Sequence, residues 1–405
     1  MEKRVYRAST NWACAKICAE MGLKMENGRT LEKYIRGLTA GMLGGMVVAL
    51  AVGFFFMEKR EFSENENRYL AKLPSFGLEK VQSGEYMKDL ETYLADHFPF
   101  RDFFMGMKTK AETSVGKKEV NGIYMAEDGY LIEKYEKPEN TEKIGRILKD
   151  FAGELEGQDV ELRLMLVPTA VYVYEDKLPD YAPVRNQMET ADRIYKSSGI
   201  LPIDCSGDLM EHKEEGELFY KTDHHWTTFG AYIGYQAYCR EMGLDAVPIE
   251  EMDARIVTED FCGTVYSKAG DYGREGDEIT VYTNPADCLT VEYKDTGEIT
   301  DSLYNLEYVE AKDKYSLFLD NLHPLIEITN ETAVSDRELV LVKDSYANSM
   351  VPFLVHHYKK IYVFDTRYYK QGVSEFIREH KNVSDVLVLY NVNTLDGDLG
   401  IRGVY

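Results

Sequence analysis

Hydrophobic and polar positions along the chain fall into three regimes. The first is an uncharged run, GLTAGMLGGMVVALAVGFFFM, over residues 37–57. Wound as a helix its 21 residues would be about 31 Å long, close to the roughly 30 Å hydrocarbon core of a bilayer. The second, residues 58–82, is polar and irregular and reads as a stalk. The third starts at 83, where Ser83 is the expected N-cap of a helix carrying Tyr86, Leu90 and Leu94 at helical spacing.

Beyond that point apolar runs and amphipathic stretches alternate. NGIYMAEDGYLIE (121–133) predicts two short strands around Asp128-Gly129. Helices are expected over 140–156, 185–198, 227–243, 345–358 and 374–381. Strands are expected over 161–168, 200–205, 337–344, 359–367 and 383–391. The stretch 248–335 loses the rhythm and is rich in Thr, Tyr, Asp and Gly, which predicts an antiparallel β insertion. Helices alternating with strongly apolar strands predict a doubly wound parallel α/β sheet for residues 83–405.

Charge orients the picture. Residues 1–36 carry eight Lys and Arg against four acids, so the positive-inside rule places this segment in the cytoplasm, the anchor over 37–57, and everything after it outside. Phe54, Phe55, Phe56 and Met57 offer no small-residue cleavage site, which argues for an anchor over a signal peptide. Gly37, Gly41 and Gly45 repeat at the small-xxx-small spacing that lets a second helix approach. Glycine is also simply common in membrane helices. The formal charge of -23 over 405 residues disfavours nucleic acid as a partner. Cys14 and Cys18 are expected as cytoplasmic thiols. Cys205, Cys239, Cys262 and Cys288 lie outside, where Cys262 with Cys288 is the first pairing to expect and buried thiols are the alternative.

Two of eight histidines stand together in Lys221-Thr222-Asp223-His224-His225-Trp226. On an extended backbone residues i and i+2 share a face, so Asp223 and His225 would face one way and His224 the other. A carboxylate on one ring nitrogen leaves the second nitrogen free to take a proton from a serine. The serine in question is Ser345, at the junction where LVLVKD (339–344) ends and a helix begins. There backbone N–H groups and the helix dipole can hold an oxyanion. A serine in that place is also an ordinary N-cap, and an Asp-x-His pair also an ordinary structural hydrogen bond. Asp-His-His is a legitimate metal-ligand set as well. No upstream Asp-x-Asp pair completes one, and no metal or other cofactor is expected.

The ordered set FSENENRYLAKLP, NGIYMAEDGYLIE, LMLVPTAVYVYEDKLP, FYKTDHHWTTFGAY and LVKDSYANSMVPFL resembles the DHHW protein family of Gram-positive bacteria. That family is similar to the SGNH-like hydrolases of the alginate O-acetyltransferase type. The resemblance runs from about residue 58 to the end of the chain. It implies a triad of Ser345, His225 and Asp223, with Trp226 completing the motif and offering a face for sugar stacking. The oxyanion or substrate candidates are the backbone of Ser345 and Tyr346 and the side chains of Asn348, Arg367 and Asn391. Lys343 stands where the superfamily usually has glycine, and the dyad precedes the serine as in the alginate branch.

A triad outside the membrane has no direct access to cytoplasmic acetyl-CoA. The resemblance therefore implies a polytopic membrane-bound O-acyltransferase as acetyl donor and a cell-surface polysaccharide as acceptor, in the cell envelope. A carbohydrate acetylesterase would use the same triad. A glycan-binding scaffold would use none.

Overall fold

The computed structural model describes residues 28–63, 68–397 and 399–405. The expected thiols Cys14 and Cys18 and most of the cytoplasmic segment lie outside the described residues. Two compact units divide the chain, one within Met1–Phe62 and Tyr69–Arg101, the other within Ser63–Arg68 and Asp102–Tyr405.

In the first unit a single helix runs Gly28–Phe56. Its part Glu32–Phe56 is long and apolar enough to cross a membrane, and none of the apolar window is buried. No atom comes within 4 Å of a methyl placed on Gly37, Gly41 or Gly45. Further on, helices Leu78–Ser83 and Glu85–Asp96 are broken at Gly84, whose φ of 80° is the left-handed conformation that glycine adopts without a Cβ penalty. Ser83 therefore closes one helix and does not open the next, and the last part of the expected stalk is helical.

The second unit is built on an eight-stranded mixed sheet. Its strands are β1 (Glu161–Val167), β2 (Leu201–Ile203), β3 (Leu289–Tyr293), β4 (Glu298–Thr300), β5 (Leu325–Asn330), β6 (Glu338–Lys343), β7 (Lys360–Phe364) and β8 (Val383–Asn391). Their order is β4-β3-β5-β7-β6-β8-β1-β2. β7, β6, β8, β1 and β2 are parallel. This is where the sequence is apolar on both faces: Leu164, Val340, Leu341 and Val388 are fully buried.

The antiparallel excursion expected within 248–335 joins this sheet at one edge, where β3, β4 and β5 pair antiparallel. β3 and β4 are joined by a short turn that includes Gly297, with φ of 73°, a connection open to antiparallel neighbours. Asp253–Phe261 and Asp277–Thr283 form a separate antiparallel pair, with a short helix, Thr264–Ala269, between them.

Two more expectations change. Cys205, Cys239, Cys262 and Cys288 are all free thiols, the first two buried and Cys288 exposed. Cys262 and Cys288 are fixed in different places. The Cys262 carbonyl accepts from Lys312 Nζ at 2.7 Å, while the Cys288 N–H is held by Asn330 and Thr332. The helix expected over 345–358 is a 3-10 turn, Ser345–Ser349, followed by a short α-helix, Val351–Leu354. Pro352 sits at the start of that helix; with no N–H to give, it limits how a single helix could run through.

Candidate functional site

The site forms where β6 and β8, neighbours in the parallel sheet, end side by side. Asp344 follows β6 in an extended conformation, and its Oδ1 accepts the Tyr346 N–H at 2.9 Å. Its Oδ2 accepts both the N–H and the Nδ2 of Asn391, the last residue of β8, at 2.8 Å each. One buried carboxylate thereby caps the turn that carries Ser345 and ties it to the adjacent strand. Ser345 itself is half-buried among buried neighbours.

The partner of Ser345 arrives from the loop Phe219–Trp226, closed at its base by an antiparallel bridge between those two residues. Below the loop, the Asp277 carboxylate accepts the N–H groups of Lys221 and Thr222 at 2.8 Å each. Behind it, the Thr228–Met242 helix, capped by the Thr227 hydroxyl, presents Gly230 and Gly234. A Cβ on Gly234 would lie 2.8 Å from the Trp226 ring, so only glycine lets the indole lie against the helix.

The chain bends through Asp223, His224 and His225 rather than running extended. His225 Nδ1 lies 2.5 Å from Asp223 Oδ1, which also accepts the His225 N–H at 3.0 Å. The carboxylate fixes the proton on Nδ1 and turns the bare Nε2 outward. Ser345 Oγ stands 2.7 Å from that Nε2. The three side chains that the sequence set far apart meet at hydrogen-bonding distance.

The bend also corrects the expected divergence of the two histidines. Their ring centroids are 3.9 Å apart. His224 Nδ1 lies 2.6 Å from Thr264 Oγ1, and the Thr264 hydroxyl reaches Asp223 Oδ2 at 2.9 Å. The N–H of Thr264 donates to that same oxygen at 2.7 Å. Close approach of this backbone requires glycine at 263, where a Cβ would fall 2.2 Å from Asp223 Oδ2.

Electrostatics follow from this crowding. Burial works against the Asp223 charge, but the two imidazoles outweigh it and hold the carboxyl well below its usual range. Burial, and then the adjacent His224, push His225 down to about 4. Burial also opposes charge on His224, yet Asp223 outweighs it and raises that ring. Two imidazoles in ring contact do not both carry a charge, so the directions differ. His225 is the neutral one near pH 7, as a general base must be.

Asp223, His224 and His225 also offer ligand atoms within 4.8 Å of one another, close enough to share one ion. Both oxygens of Asp223, Nδ1 of each histidine and Nε2 of His225 are engaged in the hydrogen bonds above, so an ion using any of them would have to displace a partner.

The remaining sequence candidates fall into different places. Tyr346 gives its N–H to Asp344, which takes it out of the oxyanion set. Trp226 is fully buried and donates to the Tyr346 carbonyl at 2.9 Å, so it braces the turn and offers no sugar-stacking face. Arg367 grips Asp365 through two nitrogens at 2.8 and 2.6 Å. Asn391 commits its amide hydrogens to Asp344 and to Thr394 Oγ1. Asn348 is different. It is buried on the Ser345 turn, and its Oδ1 has no partner among the described residues.

Sequence reasoning missed Thr264, Asp277, Asp344 and Tyr315. The Tyr315 ring stacks on His225 at 3.7 Å with planes 7° apart, and its hydroxyl lies 3.1 Å from the Ser345 carbonyl. No local pattern marks it, since it lies on a 3-10 turn, Lys314–Leu317, within the irregular stretch.

Comparison with known proteins points the same way. Residues 124–277 match the family model of the SGNH hydrolase-like domain, acetyltransferase AlgX. The probable alginate O-acetylase AlgJ of Pseudomonas syringae pv. tomato is 23% identical over 188 residues, covering 44% of this chain and 48% of that protein. The alginate biosynthesis protein AlgX of Pseudomonas aeruginosa is 25% identical over 194 residues, covering 45% and 37%. The chain thus spans half or less of the length of these relatives. Among solved structures, a DHHW family protein from Eubacterium siraeum superposes with a TM-score of 0.63 at 24% identity, covering 71% of this chain and 95% of that one. Bacillus cereus PatB1 with a sulfonyl adduct gives 0.56 at 23%, covering 69% and 97%. These likenesses establish an SGNH-like α/β fold.

Proposed function

We propose, from a domain of the SGNH hydrolase-like AlgX acetyltransferase family over residues 124–277, that this chain is a serine-dependent O-acetyltransferase acting on hydroxyls of a cell-surface polysaccharide. The observation that carries this reading is the continuous hydrogen-bonded line from Asp223 through His225 to Ser345 Oγ, with separations of 2.5 and 2.7 Å.

In the first half-reaction His225 Nε2 takes the Ser345 proton as Oγ attacks the donor carbonyl. The imidazolium then gives that proton to the leaving group, and an acetyl ester remains on Ser345. In the second, His225 takes a proton from a sugar hydroxyl as its oxygen attacks the ester. The Ser345 Oγ–carbonyl bond breaks, and Oγ recovers the proton. General base catalysis of this kind contributes roughly 10²–10⁴-fold. Asp223 holds the tautomer, and the donors assigned to the oxyanion are the Ser345 N–H and Nδ2 of Asn348. A single donor of that type is worth roughly 10²–10³-fold.

The helix Glu32–Phe56 supports a single-pass anchor. The excess of Lys and Arg before it supports a cytoplasmic N-terminus with the catalytic unit outside. There a membrane-bound O-acyltransferase is the acetyl donor, and two anchored proteins meet at a raised effective concentration. Product analysis tests the reading. With an activated acetyl ester and oligosaccharides, acetyl groups on sugar should exceed free acetate, vanish in Ser345→Ala, and survive a chelator. Free acetate alone would leave an acetylesterase. Chelator-sensitive turnover would give the Asp-His-His cluster to a metal.

A further inference from the structure

The triad leaves one well-placed group unused. The hydroxyl of Thr264 has a single hydrogen, which it gives to Asp223 Oδ2 at 2.9 Å. Its oxygen therefore accepts from His224 Nδ1 at 2.6 Å. That fixes the tautomer of His224 through the same carboxylate that fixes His225. His225 is bound directly by Oδ1, and His224 through a hydroxyl on Oδ2. Both rings consequently turn Nε2 away from Asp223. One Nε2 meets Ser345, and the triad makes no use of the other.

His224 is partly exposed and lines a small cavity of about 30 Å³ with Glu133, Thr169, Asn393 and Thr394, and with Asp223 at its inner wall. At roughly 10–15 Å³ for each water-sized probe, that is room for a hydroxyl or hydroxymethyl group and too little for a sugar ring. Its polar wall is braced. Glu133 pairs with Lys268, and Asn393 Nδ2 stands 3.4 Å from the other Glu133 oxygen.

We infer that His224 and this cavity bind a hydroxyl of the acceptor sugar that is not itself acetylated, and so hold the reacting hydroxyl between His225 and the Ser345 ester. A neutral Nε2 accepts from such a hydroxyl and a charged one donates to it, so the contact survives either state of the ring. The inference rests on the transferase reading above. It assigns the acceptor side of the site to a polyhydroxylated ligand with a free hydroxyl close to the one that reacts. His224 binds and orients substrate; the proton transfers stay with His225.

The test separates the two half-reactions. His224→Asn keeps a polar atom where Nδ1 meets Thr264 and removes Nε2, whereas His224→Gln restores a polar atom near Nε2. In His224→Asn, measured at a pH of about 8 where even an unperturbed imidazole is unprotonated, acylation of Ser345 by an activated acetyl ester should stay within about threefold of wild type. Its KM for an oligosaccharide acceptor should rise tenfold or more, with acetyl flux diverted to water. His224→Gln should recover most of the transfer. Asn393→Ala, whose side chain bonds Glu133 and not the Thr264 relay, should raise the acceptor KM in the same direction.

An unchanged acceptor KM in both His224→Asn and Asn393→Ala would overturn the inference. So would loss of Ser345 acylation in His224→Asn in proportion to loss of transfer, since His224 would then serve the triad itself. Failure of the wild type to acylate Ser345 would instead overturn the function proposed above.

Discussion

His225 lies against three rings, His224, Tyr315 and Tyr346, and has two polar side-chain partners, Asp223 and Ser345. Burial and His224 push its pKa to about 4, below the 6.5 or so of a free imidazole. A base works when unprotonated, so the acid limb of kcat/KM for Ser345 acylation should have its midpoint well under 6.5 and the rate should be flat above it. A limb centred at 6.5 or higher would show that His225 and not His224 holds the pair's proton. Asp223→Asn removes the acceptor that fixes the tautomer and should cost about 10⁴-fold in kcat. Tyr315→Phe keeps the stacked ring and loses the hydroxyl near the Ser345 carbonyl. It should lower stability by about 1 kcal/mol in a denaturant titration and leave the acid limb in place.

At the scale of elements, the site depends on how closely backbones approach. Gly263→Ala would put a Cβ 2.2 Å from Asp223 Oδ2. Overpacking of this kind typically costs about 1–3 kcal/mol. Because the displaced group is the orienting carboxylate, Ser345 acylation should fall further than the stability loss implies, as parallel denaturation and acylation measurements would show. The same scale explains what could be read in advance. The parallel strands β1, β6 and β8 and the Thr228–Met242 helix were legible because apolar runs, caps and glycine stops agree there. Ser345, His225 and Asp223 were legible because an Asp-x-His pair and a serine at a strand end are local patterns. The direction of His224 was not, since it follows from a bend set by Asp277 and Thr264, far away in sequence. Tyr315 was hidden for the same reason, and so was the joining of the expected antiparallel stretch to the edge of the main sheet. Both come from long-range pairing inside a stretch whose pattern is weak.

On the scale of the whole molecule, the unit that carries Ser345 follows, along the chain, a helix apolar enough to span a membrane. Cys288, exposed and free, reports which side that unit occupies. In intact cells a membrane-impermeant maleimide should label Cys288 without permeabilisation, judged against Cys288→Ser. Labelling that appears only after the membrane is opened would place the unit in the cytoplasm and remove the need for a separate acetyl donor.

Covalent chemistry at position 345 can be seen directly. The enzyme is mixed with an activated acetyl ester without acceptor, quenched in acid and digested, and its peptides are weighed. One acetyl group should sit on Ser345, be absent from Asp223→Asn at the same early time, and disappear from the wild type as an added oligosaccharide gains it. Acetyl transfer to the sugar at full rate with Ser345 never modified, or with the acetyl on another side chain, would contradict the triad at its centre.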